Sequence, residues 1–313
     1  MAKAVIQFIL FRFVFRILWI ALLTTFGIHL FLTILPAKKV SVFSGGLGKE
    51  TLELRKWDTG QYMTWLGNYI SFNPQISEHG SGKWQVSEFN FRAGNTITLC
   101  AIAFLLASFM GIFTGTIQST LEFEPLTGQK RFLPAIMSNS SATTLYFFSS
   151  IPAYIIAYVL FLLMESESNM FMAILALALG SGSAMDISRF TSNAHSRQLY
   201  SRYVENAIAT GLKTSGFIPL PGYVAWHAFR NSLISILPVT AYRIPLIVSS
   251  ALVVEVVFDL PGLGESLLSS LINQDVPMIL SIVLVSVVFV QVCVFLAELL
   301  VFILYPQKYS AAD

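Results

Sequence analysis

Six apolar runs, each long enough to cross a lipid bilayer, are what most constrains this chain. A helix needs about 20 apolar residues to cross a hydrocarbon core about 30 Å thick. Windows 8–35, 96–118, 133–163, 169–188, 229–257 and 278–304 meet that length. The fourth is the weakest, because Gly-Ser-Gly-Ser-Ala-Met-Asp at 180–186 cuts its apolar stretch short, and the third is long enough to tilt or to project beyond the membrane. Composition agrees: 55% of the 313 residues are hydrophobic and only 12% charged, with a mean hydropathy of +0.70. That is too apolar for a water-soluble domain of ordinary charge content. The expected fold is therefore an all-α membrane protein of six transmembrane helices, with membrane lipid as its surroundings. A net charge of +2 supplies no concentrated basic face, so nucleic acid is not an expected partner. Cys100 and Cys293 both lie inside apolar runs and are read as small buried hydrophobes rather than a disulfide.

Lys3, Arg12 and Arg16 precede or interrupt the first run, which is too long for a signal-peptide core and ends in Thr-Ile-Leu-Pro-Ala-Lys-Lys without a small-residue cleavage site. A retained transmembrane helix is expected over 1–35. Orientation follows from basic residues in short loops. Segment 186–230 carries Arg189, Arg197, Arg202, Lys213 and Arg230 against Asp186 and Glu205, whereas 164–169 and 258–277 contain only acids. The basic segment is expected in the cytoplasm, together with Lys130, Arg131 and both chain termini. Residues 36–95, with Trp57, Trp65 and Trp84, then form a periplasmic or extracellular segment, too small for an independent domain. Residues 96–313 form a five-helix core with a cytoplasmic loop at about 189–228.

Several chemistries lack their residues. Ser44-Gly-Gly-Leu-Gly-Lys-Glu50 misplaces the first glycine of a phosphate loop and puts Glu50 where Ser or Thr would hold Mg²⁺. His29, His79, His195 and His227 are scattered, so no metal site is expected. No catalytic cluster stands at one depth, so the chain is not expected to be an enzyme.

Polar residues inside the runs are the candidates for function. Arg243 lies well within the fifth run, two residues before Pro245. Such a charge costs a few kcal/mol unless it faces a cavity or a partner, so it is expected to line a pathway or to pair with an acid on another subunit. Pro238 and Pro245 are expected to kink that helix. Ser138, Ser141, Thr144 and Ser149 on the third run are weighed as pathway hydroxyls against ordinary helix packing. Gly111 and Gly115 mark a close helix crossing. Glu255 is placed near the outer end of the fifth run, within reach of water or a partner chain. The Pro261-Gly262 pair is expected to stop that helix and start a short amphipathic one over 262–277. Its Leu263, Leu267, Leu268 and Leu271 would make the apolar face, with Glu265 and Asp275 wet.

Residues 203–212, Tyr-Val-Glu-Asn-Ala-Ile-Ala-Thr-Gly-Leu, form a short mixed helix too polar to span and too apolar to be merely solvated. This stretch resembles the cytoplasmic signature of ABC importer permeases, Glu-Ala-Ala followed three residues later by Gly, with Glu205, Ala207 and Gly211 in the matching places and Asn206 departing. It is closer to the form in permeases for dipeptides, oligopeptides and nickel, matched at Tyr203, Val204, Ala207, Ala209, Gly211 and Leu212. Ile208 and Thr210 stand where that family has Arg and Lys. His227-Ala228-x-Arg230-Asn231 and Glu255-x-x-Phe258-x-x-Pro261-Gly262-Leu263-Gly264 resemble later motifs of the same family. Residues 61–69 and the Glu298 to Pro306 spacing extend the resemblance over nearly the whole chain. The histidine follows Gly211 by more than the family's usual spacing, with Gly-Phe-Ile-Pro-Leu-Pro-Gly at 216–222 between them.

The resemblance implies the type I ABC importer permease fold and a multi-pass subunit of a bacterial inner membrane. It implies no cofactor on this chain, with ATP and Mg on two partner ATPase subunits, a second homologous permease and an extracytoplasmic solute-binding protein. Residues 203–212 would be the helix that couples to the ATPase, and Arg243, Glu255, Phe258, Pro261, Gly262 and Gly264 would belong to the pathway and its outer gate. Peptides are the expected cargo, with nickel or another metal chelate as the alternative. An ion-coupled secondary transporter is the more distant alternative, and would show acidic or polar residues near the midplane and paired broken helices.

Overall fold

The computed structural model describes residues 2–34, 40–44, 48–52, 58–71, 82–123, 143–164, 169–210, 223–273 and 275–304. The chain forms two compact units. The first comprises 1–95 and 261–291, the second 96–260 and 292–313. The described residues are helical apart from one antiparallel hairpin, β1 (Val40–Ser44) with β2 (Gly48–Leu52), registered Val40 to Leu52 and Ser44 to Gly48. That hairpin departs from the all-α expectation within the 36–95 segment.

In the first unit, α1 (Ala2–Ile34) meets α2 (Thr59–Ile70). Asp58 caps α2, accepting from the Thr59 amide while Gln61 Oε1 accepts from the Asp58 amide at 3.1 Å, a reciprocal box that satisfies donors a helix start leaves open. The buried Tyr62 hydroxyl lies 3.1 Å from Thr25 Oγ1, and its ring stacks on His29 at 4.8 Å. Tyr62, Trp65 and Leu280 form one buried cluster of this unit.

Three helices are each long and apolar enough to span: Phe13–Leu30 in α1, Val86–Glu122 in α3 (Gly82–Glu122) and Val276–Leu304, which is α12. The other candidates are bent pairs. These are α4 (Thr143–Ser149) with α5 (Ala153–Met164) at 93°, α6 (Met170–Gly180) with α7 (Ser183–Leu199) at 46°, and α9 (Tyr223–Ala241) with α10 (Ile244–Val257) at 41°. Counting each pair as one span gives up to six.

Each break has a local cause. Pro152 sits just before α5 and, without an N–H, cannot continue α4. Gly182 adopts φ +72 between α6 and α7, a conformation that costs a residue with a Cβ. Pro238 stays inside α9, while Pro245 occupies the first turn of α10, where no amide donor is needed. The third and fourth runs therefore depart from the expected continuous helices. Residues 133–142 of the third run lie outside the described residues, and the fourth resumes as helix after its polar interruption.

Within the second unit, α9 packs on α7, and α10 on α5 and α6. The predicted close crossing is present. A Cβ at Gly111 would lie 2.6 Å from the Ala184 carbonyl oxygen, and one at Gly115 would collide with that of Ser188. A Cβ at Gly180 would lie 2.5 Å from the Ala153 Cα. Small residues permit this backbone approach.

Candidate functional site

Residues Arg202–Ala209 form α8, which lies between α7 and α9 in the chain. Its Val204 is fully buried with Phe123, Leu199, Val224 and Ala228, and Ala207 and Ile208 pack partly against the same cluster. Ile208 thus explains one departure from the resembled signature: an arginine there would place its charge against an apolar core. Tyr203 donates its hydroxyl hydrogen to Gln198 Oε1 at 3.0 Å, and its ring meets His227 edge-on at 5.6 Å. Arg202, Glu205, Asn206 and Ala209 face outward. The helix ends at Thr210, whose amide and hydroxyl both donate to the Asn206 carbonyl at 3.0 Å. Gly211 and Leu212 lie outside the described residues. The result is a short helix pinned along one face and presenting the other.

The second cluster lies at the helix breaks. Arg243, the N-terminal flanking residue of α10, forms an ion pair with Asp186 of α7, Nη1 to Oδ2 2.8 Å. Arg243, expected to line a pathway or to pair with an acid on another subunit, thus has an acid on its own chain. Asp186, counted with the cytoplasmic loop in the sequence, lies in the first turn of α7. Three residues on, Arg189 donates from Nε to the Tyr146 hydroxyl at 2.9 Å, with its guanidinium carbon 4.4 Å from that ring's centroid. Thr144 and Ser149 lie on the same α4; Ser138 and Ser141 lie outside the described residues.

This cluster falls inside the candidate spans that the bent pairs make up. α5, α6 and α10 have 12, 11 and 14 residues, about 16–21 Å each, too short alone for a core about 30 Å thick, so each makes a candidate span only with its bent partner. Asp186, Arg189 and Tyr146 were missed because Gly-Ser-Gly-Ser looked like a span end. The available signal was that both Asp186 and Arg243 stand within four residues of a helix-breaking Gly or Pro. Broken helices were the expected mark of an ion-coupled transporter; their presence means that this criterion does not separate the two classes.

The Glu255 to Gly264 motif brings two corrections. Glu255, placed within reach of water or a partner chain, is buried in this chain at 1% exposed, and Phe258 is fully buried against Phe161 at 6.0 Å. The helix is stopped by Asp259, not by Pro261-Gly262. Asp259 has φ +49, and the amides of Leu260 and Asp259 return to the carbonyls of Glu255 (2.9 Å) and Val256 (3.4 Å). This is the Schellman arrangement, with aspartate in the place usually taken by glycine. Pro261 is exposed, while Gly262 and Gly264 are buried.

The amphipathic segment is α11 (Leu263–Asn273), and its apolar residues divide between a buried part and an exposed part. Leu263, Ser266 and Ser270 are buried, while Leu268, Leu271 and Ile272 are 46%, 55% and 71% exposed. Arg92 fixes this helix, reaching Glu265 Oε2 at 2.6 Å and Glu88 Oε1 at 2.8 Å, and Asn95 Nδ2 donates to the Pro261 carbonyl at 2.8 Å. Asp275 is buried and accepts from the Met278 amide at 3.3 Å, capping α12. Among the described residues, no three His, Cys, Asp or Glu side chains gather as a metal ion would require.

Residues 126–308 match the family described as binding-protein-dependent transport system inner membrane component. The oligopeptide transport system permease protein AppB of Bacillus subtilis is 25% identical over 262 residues, 79% of each chain. The dipeptide transport system permease protein DppB of the same organism is 24% identical over 249 residues, 79% of this chain and 78% of that one. A shorter match, 29% over 130 residues, covers 42% of this chain and 36% of the di/tripeptide transport system permease protein DppB of Pseudomonas aeruginosa.

Proposed function

This chain belongs to the family of binding-protein-dependent transport system inner membrane components, and from that premise we infer that it is the transmembrane subunit of an ABC importer moving peptides across a bacterial inner membrane. Peptides are favoured over nickel by what its relatives AppB and DppB are named for. The proposed topology is six spans with both termini in the cytoplasm. The partners are a second, similar permease, two ATPases that carry ATP and Mg, and an external solute-binding protein.

The observation that carries the mechanism is α8, anchored by Val204 and outwardly polar. A helix held this way moves as one body with α7 and α9, so a displacement imposed on its exposed face by a closing ATPase is passed to both spans. Arg202 and Glu205 set the docking register as rim charges, and Gly211 and Leu212 complete the contact. Arg243 lines the pathway. Glu255, Phe258, Pro261, Gly262 and Gly264 belong to the outer gate.

The test is ATP-dependent peptide uptake by the assembled transporter. Replacing Gly211 with Leu is expected to abolish uptake while the chain still inserts in the membrane. Unchanged uptake in that variant removes the coupling assignment, and accessibility labelling that places 203–212 outside the cell removes the topology.

A further inference from the structure

We propose that Asp186, Arg189 and Arg243, gathered with Tyr146 at the breaks of the bent helix pairs, form a site that holds the charged termini of a peptide in transit. The proposal rests on the permease reading and specifies what the pathway recognises. All four residues belong to the second unit. Arg243 meets Asp186 at 2.8 Å, Arg189 meets the Tyr146 hydroxyl at 2.9 Å, and Asp186 and Arg189 are three apart on α7, so they share a face.

Partial exposure is what makes this a site rather than a buried strut. The Arg243 and Asp186 side chains are 32% and 38% exposed, and Arg189 is exposed. Inside a candidate span, an open side on such charged groups is tolerated against water or polar groups but is costly against hydrocarbon. The open side therefore faces the route of a polar solute.

The charges also select the solute. One carboxylate and two guanidiniums leave a net charge of +1, which repels a bare divalent cation and suits a zwitterion. A peptide's terminal ammonium replaces Arg243 at Asp186, and its terminal carboxylate takes the forked N–H donors of Arg243 and Arg189, whose geometry fits a carboxylate. When the site is empty, Asp186 and Arg243 satisfy each other. The peptide exchanges partners with them instead of filling an orphaned site, which keeps its binding weak enough for release.

The test uses the whole transporter, with its ATPases and binding protein, in proteoliposomes and an Ala-photoleucine-Ala tripeptide as probe. Illumination during turnover is expected to label fragments containing 143–149, 183–189 or 243. Arg243→Gln should lower that labelling at least tenfold, while Arg243→Lys retains part of it. Because a single substitution strands a charge and can prevent assembly, the double variant Asp186→Asn/Arg243→Gln, which strands none, provides the second measurement and should lose labelling equally. Labelling confined to other segments, or undiminished in the double variant, overturns the site while uptake by the unaltered transporter leaves the permease reading standing. No uptake and no labelling by the unaltered transporter overturns the peptide-permease reading itself, and the site with it.

Discussion

α8 and α11 are both short, amphipathic and marked by a family motif, yet they place their apolar residues in opposite ways. α8 turns Val204 into a core made by its own chain, backed by Ala207 and Ile208, and shows Arg202, Glu205 and Asn206 outward. α11 turns Ser266 and Ser270 inward beside Leu263 and leaves Leu268, Leu271 and Ile272 outside. Those serines can be buried because their hydroxyls donate to carbonyls one turn back, Gly262 at 3.0 Å and Ser266 at 2.6 Å. Burial without a hydrogen-bond partner is what is costly for a polar group. Meanwhile the Arg92 bridge and the Asn95 contact fix which way α11 is turned. An apolar stripe therefore tells that a face will be covered, not that the same chain covers it.

The sharpest way to break this contrast is to put a carboxylate on each apolar stripe. Val204→Asp buries a charge in an apolar cluster and is expected to cost about 3 kcal/mol or more, seen as a collapsed melting midpoint in detergent. Leu271→Asp, on the exposed stripe, should change the same midpoint by less than about 0.5 kcal/mol; equal losses would erase the distinction. A smaller effect is expected at the turn that precedes α11. Asp259→Val forces a β-branched residue to φ +49 and should cost about 1–2 kcal/mol, whereas Asp259→Gly should be neutral or slightly stabilising. The smallest is Arg92→Ala. Its partner Glu265 is 45% exposed, so screening limits the loss to about 1 kcal/mol at most. It should appear as faster amide exchange over 263–273, with 202–209 unaffected.

Much of this pattern was legible in the order of residues. Gly111 and Gly115, at helical spacing inside an apolar run, announced the crossing at which α7 comes close. The coupling stretch could be named because its residue types recur in a fixed order. The helix breaks were half legible. Pro245 and the Gly-Ser-Gly-Ser interruption were visible, but hydropathy cannot tell a bend in a span from the end of one, since a polar interruption lowers the local average in either case. That ambiguity moved Asp186 into a loop and left Arg243 without its acid. Similarly, Pro261-Gly262 looked like the stop after Glu255, whereas the left-handed turn falls on Asp259, because aspartate tolerates that conformation better than most residues.

What the sequence by itself determined is local along the chain: runs long enough to cross lipid, residues that bend or end them, and motifs whose meaning lies in their spacing. Only the tertiary structure decided which face of α11 is covered, that Glu255 is enclosed, and that the charges on α7 and α10 meet at 2.8 Å. The reason is physical: an ion pair or a buried face is a relation between segments far apart in the chain, fixed by how whole helices pack, and nothing in the immediate neighbours of Asp186 or Arg243 carries that distance.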